Sequence, residues 1–269
     1  MTAMPFLMPQ VRRARFHERL QRPRGPRLVE HDVMVPGLDP AHDGVRVAHL
    51  TDLHVGMLTP DRKILRAIAH AHAAKPDLML LTGDFVCYSP KFVGRLQELT
   101  RGLHVPAYAV LGNHDYWTDG EGVRHALERN GIAVLRNGHS EIMLRHAPLS
   151  IIGIDDAITR HSDARRAFRG VRAHGSKLVM THVPSMADRA AELGDGLIVA
   201  GHTHGGHVVI PRLTARIAAK FGNRYLAGFY RVGNSLLYVN CGIGSSSVPI
   251  RAGAPSEVAI LTLRAAPAR

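Results

Sequence analysis

The sequence predicts an α/β fold, a four-layer α-β-β-α sandwich of two mixed sheets flanked by helices. Three observations carry that prediction. At 269 residues and 45% apolar content the chain is long enough to bury one sizeable core. From Val45 onward, short apolar runs alternate with helical patterns in the manner of βαβ units. Strands then crowd the second half, where LLYVN and EVAILTLR read as a second sheet with one packed face.

The elements follow in order. Val45–Leu50 (VRVAHL) is a buried strand. A helix begins after it, with Thr59 as cap, Pro60 in the first helical position, and Ile64, Leu65 and Ile68 on one face. Asp77–Thr82 is the second strand, and a helix covers Lys91 to Leu99. Val105–Leu111 is the third strand, and a helix over Gly120–Asn130 is closed by Gly131. The runs IAVL, EIMLR and LSIIGI are strands of the second half. A helix near Ser162–Arg169, the strand KLVMTH, a helix over Pro184–Leu193 and the strand GLIVA complete the pattern.

Residues 28–269 read as one domain and residues 1–27 as a basic tail. In the tail Phe6, Leu7 and Met8 precede seven arginines, a composition suited either to a disordered segment or to an anionic membrane face. Arg12-Arg13 is followed by no apolar stretch of an export signal. No run approaches the roughly 18 apolar residues of a spanning helix. Cys87 and Cys241 form no CxxC pattern, which points to the reducing cytoplasm. With 34 Lys and Arg against 22 Asp and Glu, the net charge of +12 suits a phosphorylated substrate, an acidic lipid or nucleic acid. An arginine-rich source proteome explains it equally well.

The chemistry lies at the polar ends of the strands. The first strand is followed by Thr51-Asp52-Leu53-His54, the second by Gly83-Asp84, the third by Gly112-Asn113-His114-Asp115. His182 follows KLVMT, and Gly201-His202-Thr203-His204 follows GLIVA. Ligands of open α/β sheets gather outside the carboxyl ends of strands, so five loops can deliver these residues to one place. D-x-H and G-D alone carry no weight, but five pieces in order, each behind an apolar run, do.

This set of DLH, GD, GNHD, H and GHTH resembles the signature of the calcineurin-like metallophosphoesterase superfamily, over about Val45 to His204. Within it, TDLHVG, GHTHGGHV and LYVNCGIGSSSVPIRAG resemble a subgroup of bacterial membrane- or wall-associated phosphodiesterases. Some members of that subgroup hydrolyse UDP-2,3-diacylglucosamine.

The resemblance implies two divalent metals. Asp52, His54 and His204 match the ligands of the first, Asn113, His182 and His202 those of the second, and Asp84 the bridging carboxylate, with one oxygen toward each ion. An oxygen and nitrogen donor set without thiolate suits Mn²⁺, Fe or Zn²⁺. The i, i+2 spacing of His202 and His204 in an extended segment would turn their rings toward different ions. The resemblance further implies in-line attack on phosphorus by a hydroxide that such metals would supply. His114 matches the histidine that contacts the phosphate or leaving oxygen, and Asp115 is expected to orient it. His207, Tyr230, Arg231 and Arg251 are candidates for substrate binding.

The implied activity is a phosphodiesterase or pyrophosphate hydrolase on a lipid-linked or nucleotide-sugar substrate, working in the cytoplasm at the inner face of the membrane. Cys87 and Cys241 depart from the subgroup, where an acidic residue and an arginine are common; both departures bear on substrate, not on metal. A nuclease or cyclic-nucleotide phosphodiesterase is the competing enzyme, drawn from the charge; no RNA-binding signature accompanies it. A catalytically silent scaffold would be expected to lack ligands, and none is missing.

Overall fold

The computed structural model describes residues 25–206, 224–245 and 251–266. The first 24 residues, and His207 with them, lie outside that description. Among the described residues, twelve strands form two six-stranded sheets. The first has the order β1 (Arg27–Met34), β12 (Glu257–Arg264), β2 (Arg46–Leu50), β3 (Leu78–Thr82), β4 (Ala107–Val110), β5 (Ile132–Val134). The second runs β10 (Gly228–Val232), β11 (Ser235–Val239), β9 (Leu197–Ala200), β8 (Ser176–Thr181), β7 (Ala147–Ile154), β6 (Gly138–Leu144).

Three apolar layers hold these sheets together. Val47, Leu80, Val110, Ile151, Met180 and Val199 fill the space between the sheets. Outside the first sheet, helices α1 (Asp61–Ala73), α2 (Val93–Thr100) and α3 (Asn113–Glu128) pack Ile64, Leu96 and Leu127 onto Leu50, Leu81 and Ile260. Outside the second, α4 (Ala164–Ala167) and α5 (Met186–Ala191) cover Ile152, Val179 and Ile198. The predicted four-layer sandwich is the one observed. No helix among the described residues is long and apolar enough to cross a membrane.

Three differences from the sequence reading have physical causes. EVAILTLR does not join the second sheet. It is β12, between β1 and β2 of the first, parallel to one and antiparallel to the other. Val258 through Thr262 and Leu263 are all buried, so the run is covered on both faces and does not alternate. IAVL likewise becomes β5, the edge of the first sheet. The third helix starts at Asn113, not Gly120, with a non-helical break at Asp119. That earlier start places Asn113, His114 and Asp115 in the first turn of α3, where backbone amides are available to neighbouring carboxylates.

Candidate metal centre

Strands β2, β3, β4, β8 and β9 end side by side, and their loops meet across the junction of the two sheets. The structure brings six of the motif residues into two groups. Asp52, His54 and His204 form one group and Asp84, His182 and His202 a second, the donor atoms within each lying within 4.8 Å of one another. His54 Nε2 faces His204 Nε2 at 3.1 Å, and His182 Nε2 faces His202 Nδ1 at 3.2 Å. Each group draws side chains from both sheets.

The two carboxylates divide their oxygens in the same way. Asp52 Oδ2 accepts the His202 amide N–H at 3.0 Å and the Thr51 hydroxyl at 2.8 Å. Its Oδ1 has no hydrogen-bond partner and lies 3.4 Å from His204 Nε2. Asp84 Oδ1 accepts the His114 amide at 2.9 Å, while Oδ2 lies 3.2 Å from His182 Nε2 and 3.6 Å from His54 Nε2. One oxygen of Asp84 therefore faces both groups. The expected division, one oxygen toward each, is not observed, because the start of α3 occupies the other.

Close backbone approach makes this packing feasible. A Cβ on Gly112 would overlap the Asp84 carboxylate, and one on Gly201 would overlap Thr51 and Asp52. His202 and His204 do direct their rings to different groups, but not from an extended segment. Both have left-handed backbones, with φ of 70° and 51°, in a tight turn after β9.

The electrostatics call for positive charge. Asp52 and Asp84 are 0% and 1% exposed, and their only ion-pair partners among the described residues are histidines. Buried carboxylates without a paired cation are costly. Burial, then the charge of Asp84, pushes the Asp52 carboxyl up to about 6. Burial works against a charged His182, but the adjoining Asp84 outweighs it and raises His182 to about 10. The Thr82 carbonyl can only accept, so His182 Nδ1, 2.7 Å away, keeps its hydrogen and leaves Nε2 toward the group. Asn113 Oδ1 is buried without a partner. Orphaned oxygens and facing imidazole nitrogens are what a site for divalent cations requires, and the residues fit one.

The remaining candidates are placed as follows. The half-buried His114 ring lies edge-on to His54, centroids 5.0 Å apart, and to Trp117 at 5.1 Å. The Asp115 carboxylate is fully buried and accepts the amides of Gly112, Phe85 and Val86 at 2.9, 2.7 and 3.0 Å. It ties the loop after β3 to the start of α3, and so acts on the backbone around His114 more than on its ring. Arg251 points inward, its Nη2 2.7 Å from His204 Nδ1 and its Nη1 donating to the Cys241 carbonyl at 2.5 Å. The Tyr230 hydroxyl accepts the Leu226 amide at 3.1 Å. Arg231 is exposed and pairs through Leu236 with Leu197, at the end of β9 remote from His202. Neither β10 residue joins the cluster.

Sequence reasoning passed over Asp155 and Asp156. They follow β7, whose last residue Ile154 pairs with Thr181 beside His182. Asp156 is fully buried with Oδ1 unpartnered, and its negative charge is felt at His202. The same rule of a polar pair behind an apolar run would have found them.

The model of the calcineurin-like phosphoesterase family matches residues 45–206, the stretch that carries all of these loops up to β9. The chain belongs to that family. Among related proteins, the transmembrane protein with metallophosphoesterase domain of Danio rerio is 28% identical over 90% of this chain, which spans 58% of that protein's length. The UDP-2,3-diacylglucosamine pyrophosphatase LpxG of Chlamydia trachomatis is 24% identical over 81% of this chain and 83% of its own. The structure of the NAD nucleotidase NadN of Haemophilus influenzae superposes with a TM-score of 0.50 at 14% identity, covering 75% of this chain and 46% of that one. That likeness concerns the fold.

Proposed function

We propose that this calcineurin-like phosphoesterase hydrolyses a phosphodiester or pyrophosphate bond at a pair of divalent cations. One observation supports the reading above others: two imidazole–carboxylate groups, joined by Asp84 Oδ2, in which histidines are the only ion-pair partners of the acids among the described residues. Asp52, His54 and His204 would hold one ion, Asn113, His182 and His202 the other, and Asp84 both. Mn²⁺, Fe or Zn²⁺ suits these donors. Such ions would supply charge for the phosphate and lower the pKa of a water toward about 7.

The protein's own residues do the rest. Thr82 fixes the His182 tautomer, and the His202 amide fixes Asp52. His114 stands at the edge of the cluster, where it contacts the phosphate and stabilises or protonates the leaving oxygen. Asp115 positions it through the start of α3. Likeness to LpxG supports a lipid-linked or nucleotide-sugar substrate such as UDP-2,3-diacylglucosamine, met at the inner face of a membrane. In this reading residues 28–269 are the phosphoesterase domain and 1–27 a basic extension. His207, Tyr230, Arg231 and Arg251 remain candidates for the substrate side.

The test is hydrolysis of bis(p-nitrophenyl) phosphate with added Mn²⁺ by the wild type and Asp84→Asn. Loss of an outer hydrogen-bond partner of a metal ligand already costs about 10–100-fold, so the variant should fall by about 100-fold or more. Equal turnover by both proteins would sink the assignment. Parallel incubation with UDP-2,3-diacylglucosamine, single-stranded DNA and RNA separates the lipid reading from a nuclease.

A further inference from the structure

Ten large apolar side chains are exposed among the described residues, and half of them stand on the segments that follow β2, β3, β4 and β7 beside the cluster. Met57 and Leu58 follow Asp52 and His54 after β2. Tyr88 follows Asp84 after β3, Trp117 lies in the first turns of α3, and Ile158 follows Asp156 after β7. Met57 and Trp117 are 72% and 63% exposed.

These side chains belong to one rim. Val55 bridges Val86, and a Cβ on Gly56 would meet Cys87 Sγ at 3.0 Å, so the segments carrying Met57 and Tyr88 run side by side. Trp117 touches His114, which touches His54. Tyr116, beside Trp117, stacks on His161 of the Ile158 loop at 3.9 Å. Arg62 at the start of α1, Lys91 after β3 and Arg160 after β7 are exposed nearby, none in an ion pair among the described residues, with Lys91 lying over the Phe92 ring. Apolar and aromatic tips flanked by unpaired cations are the composition of a surface that enters the headgroup layer of an anionic bilayer.

We infer that this rim is a membrane-contact surface, which seats the mouth of the cluster on an anionic lipid bilayer so that a phosphoester at the headgroup level reaches it. The proposal deepens the proposed function and relies on it for the phosphoester. Contact by the rim presents the cluster to the lipid; contact by the N-terminal extension alone carries no such orientation.

Trp117 is the only tryptophan of the chain, so its emission reports on the rim itself. The full-length protein is mixed with vesicles of phosphatidylglycerol and phosphatidylcholine, or of phosphatidylcholine alone. With the anionic vesicles the emission should shift to the blue and be quenched by brominated acyl chains. The double variant Met57→Asp/Ile158→Asp should partition at least about tenfold less well, since each apolar side chain removed from water contributes on the order of a factor of ten. Its thermal midpoint, matched to wild type, controls for folding. Co-sedimentation without a shift assigns binding to another surface and overturns the proposal, as does absence of binding. Turnover of the soluble diester is read separately, so either reading can fail alone.

Discussion

Five of the seven central residues, Asp52, His54, Asp84, His202 and His204, have φ between 47° and 70°, among eleven described non-glycine residues of positive φ. Side chains other than glycine usually avoid that region, at a cost of about 1–3 kcal/mol each where they do not. These turns follow β2, β3 and β9, whereas Asn113 after β4 and His182 after β8 keep ordinary backbone angles. Gly112→Ala tests the packing that goes with these turns. Its backbone φ of −110° suits alanine, so the effect is steric and falls on Asp84. Stability should drop by about 1–3 kcal/mol in urea titration, with Mn²⁺ affinity down about tenfold or more. Affinity should also depend on pH. Asp52, raised to about 6, and His182, raised to about 10, must lose protons before donating to a cation. Protons therefore compete, and Mn²⁺ affinity should climb from pH 5 to pH 8 in calorimetric titrations. A flat profile would contradict the assignment of these two groups.

At the scale of elements, β12 and Asp115 are the parts on which the site depends from a distance. β12 closes the first sheet between β1 and β2, and Leu261 and Ile260 are fully buried on its opposite faces. Leu261→Ala should cost about 2–5 kcal/mol, whereas Met143→Ala, on the exposed edge strand β6, should stay within about 0.5 kcal/mol. Paired urea denaturations compare them. Asp115→Ala strands three buried amides, each unmet donor costing about 1–3 kcal/mol; melting point and Mn²⁺ affinity should fall together. Most helices and inner strands could be read from the sequence because their apolar periods are local. The strand β1 could not, since RLVEHDVM is largely exposed and becomes a strand by pairing with β12, more than 220 residues away: Arg27 lies opposite Glu257. The sheet to which β12 belongs was hidden for the same reason. Partners distant in sequence leave no trace in a local pattern.

For the whole molecule, each group takes donors from both sheets, so a cation in either would join the two layers at one end. Metal binding and folding are therefore linked. At about 100 times the dissociation constant one such ion adds about 2.7 kcal/mol, or a rise of about 5–10 °C in melting temperature for a chain of this size. Differential scanning fluorimetry with Mn²⁺ and with EDTA measures it. The loops of the cluster were legible in the sequence because each of them follows an apolar run. The left-handed turns and the double use of Asp84 Oδ2 were not, because they follow from how closely Gly112 and Gly201 allow the loops to approach. The central claim is that seven side chains from five loops hold two ions around one shared carboxylate. Metal analysis of the dialysed wild-type protein after loading with Mn²⁺ tests it most directly. Two equivalents per chain are predicted, falling to one or fewer in Asp84→Asn; one equivalent or none in the wild type would contradict the account.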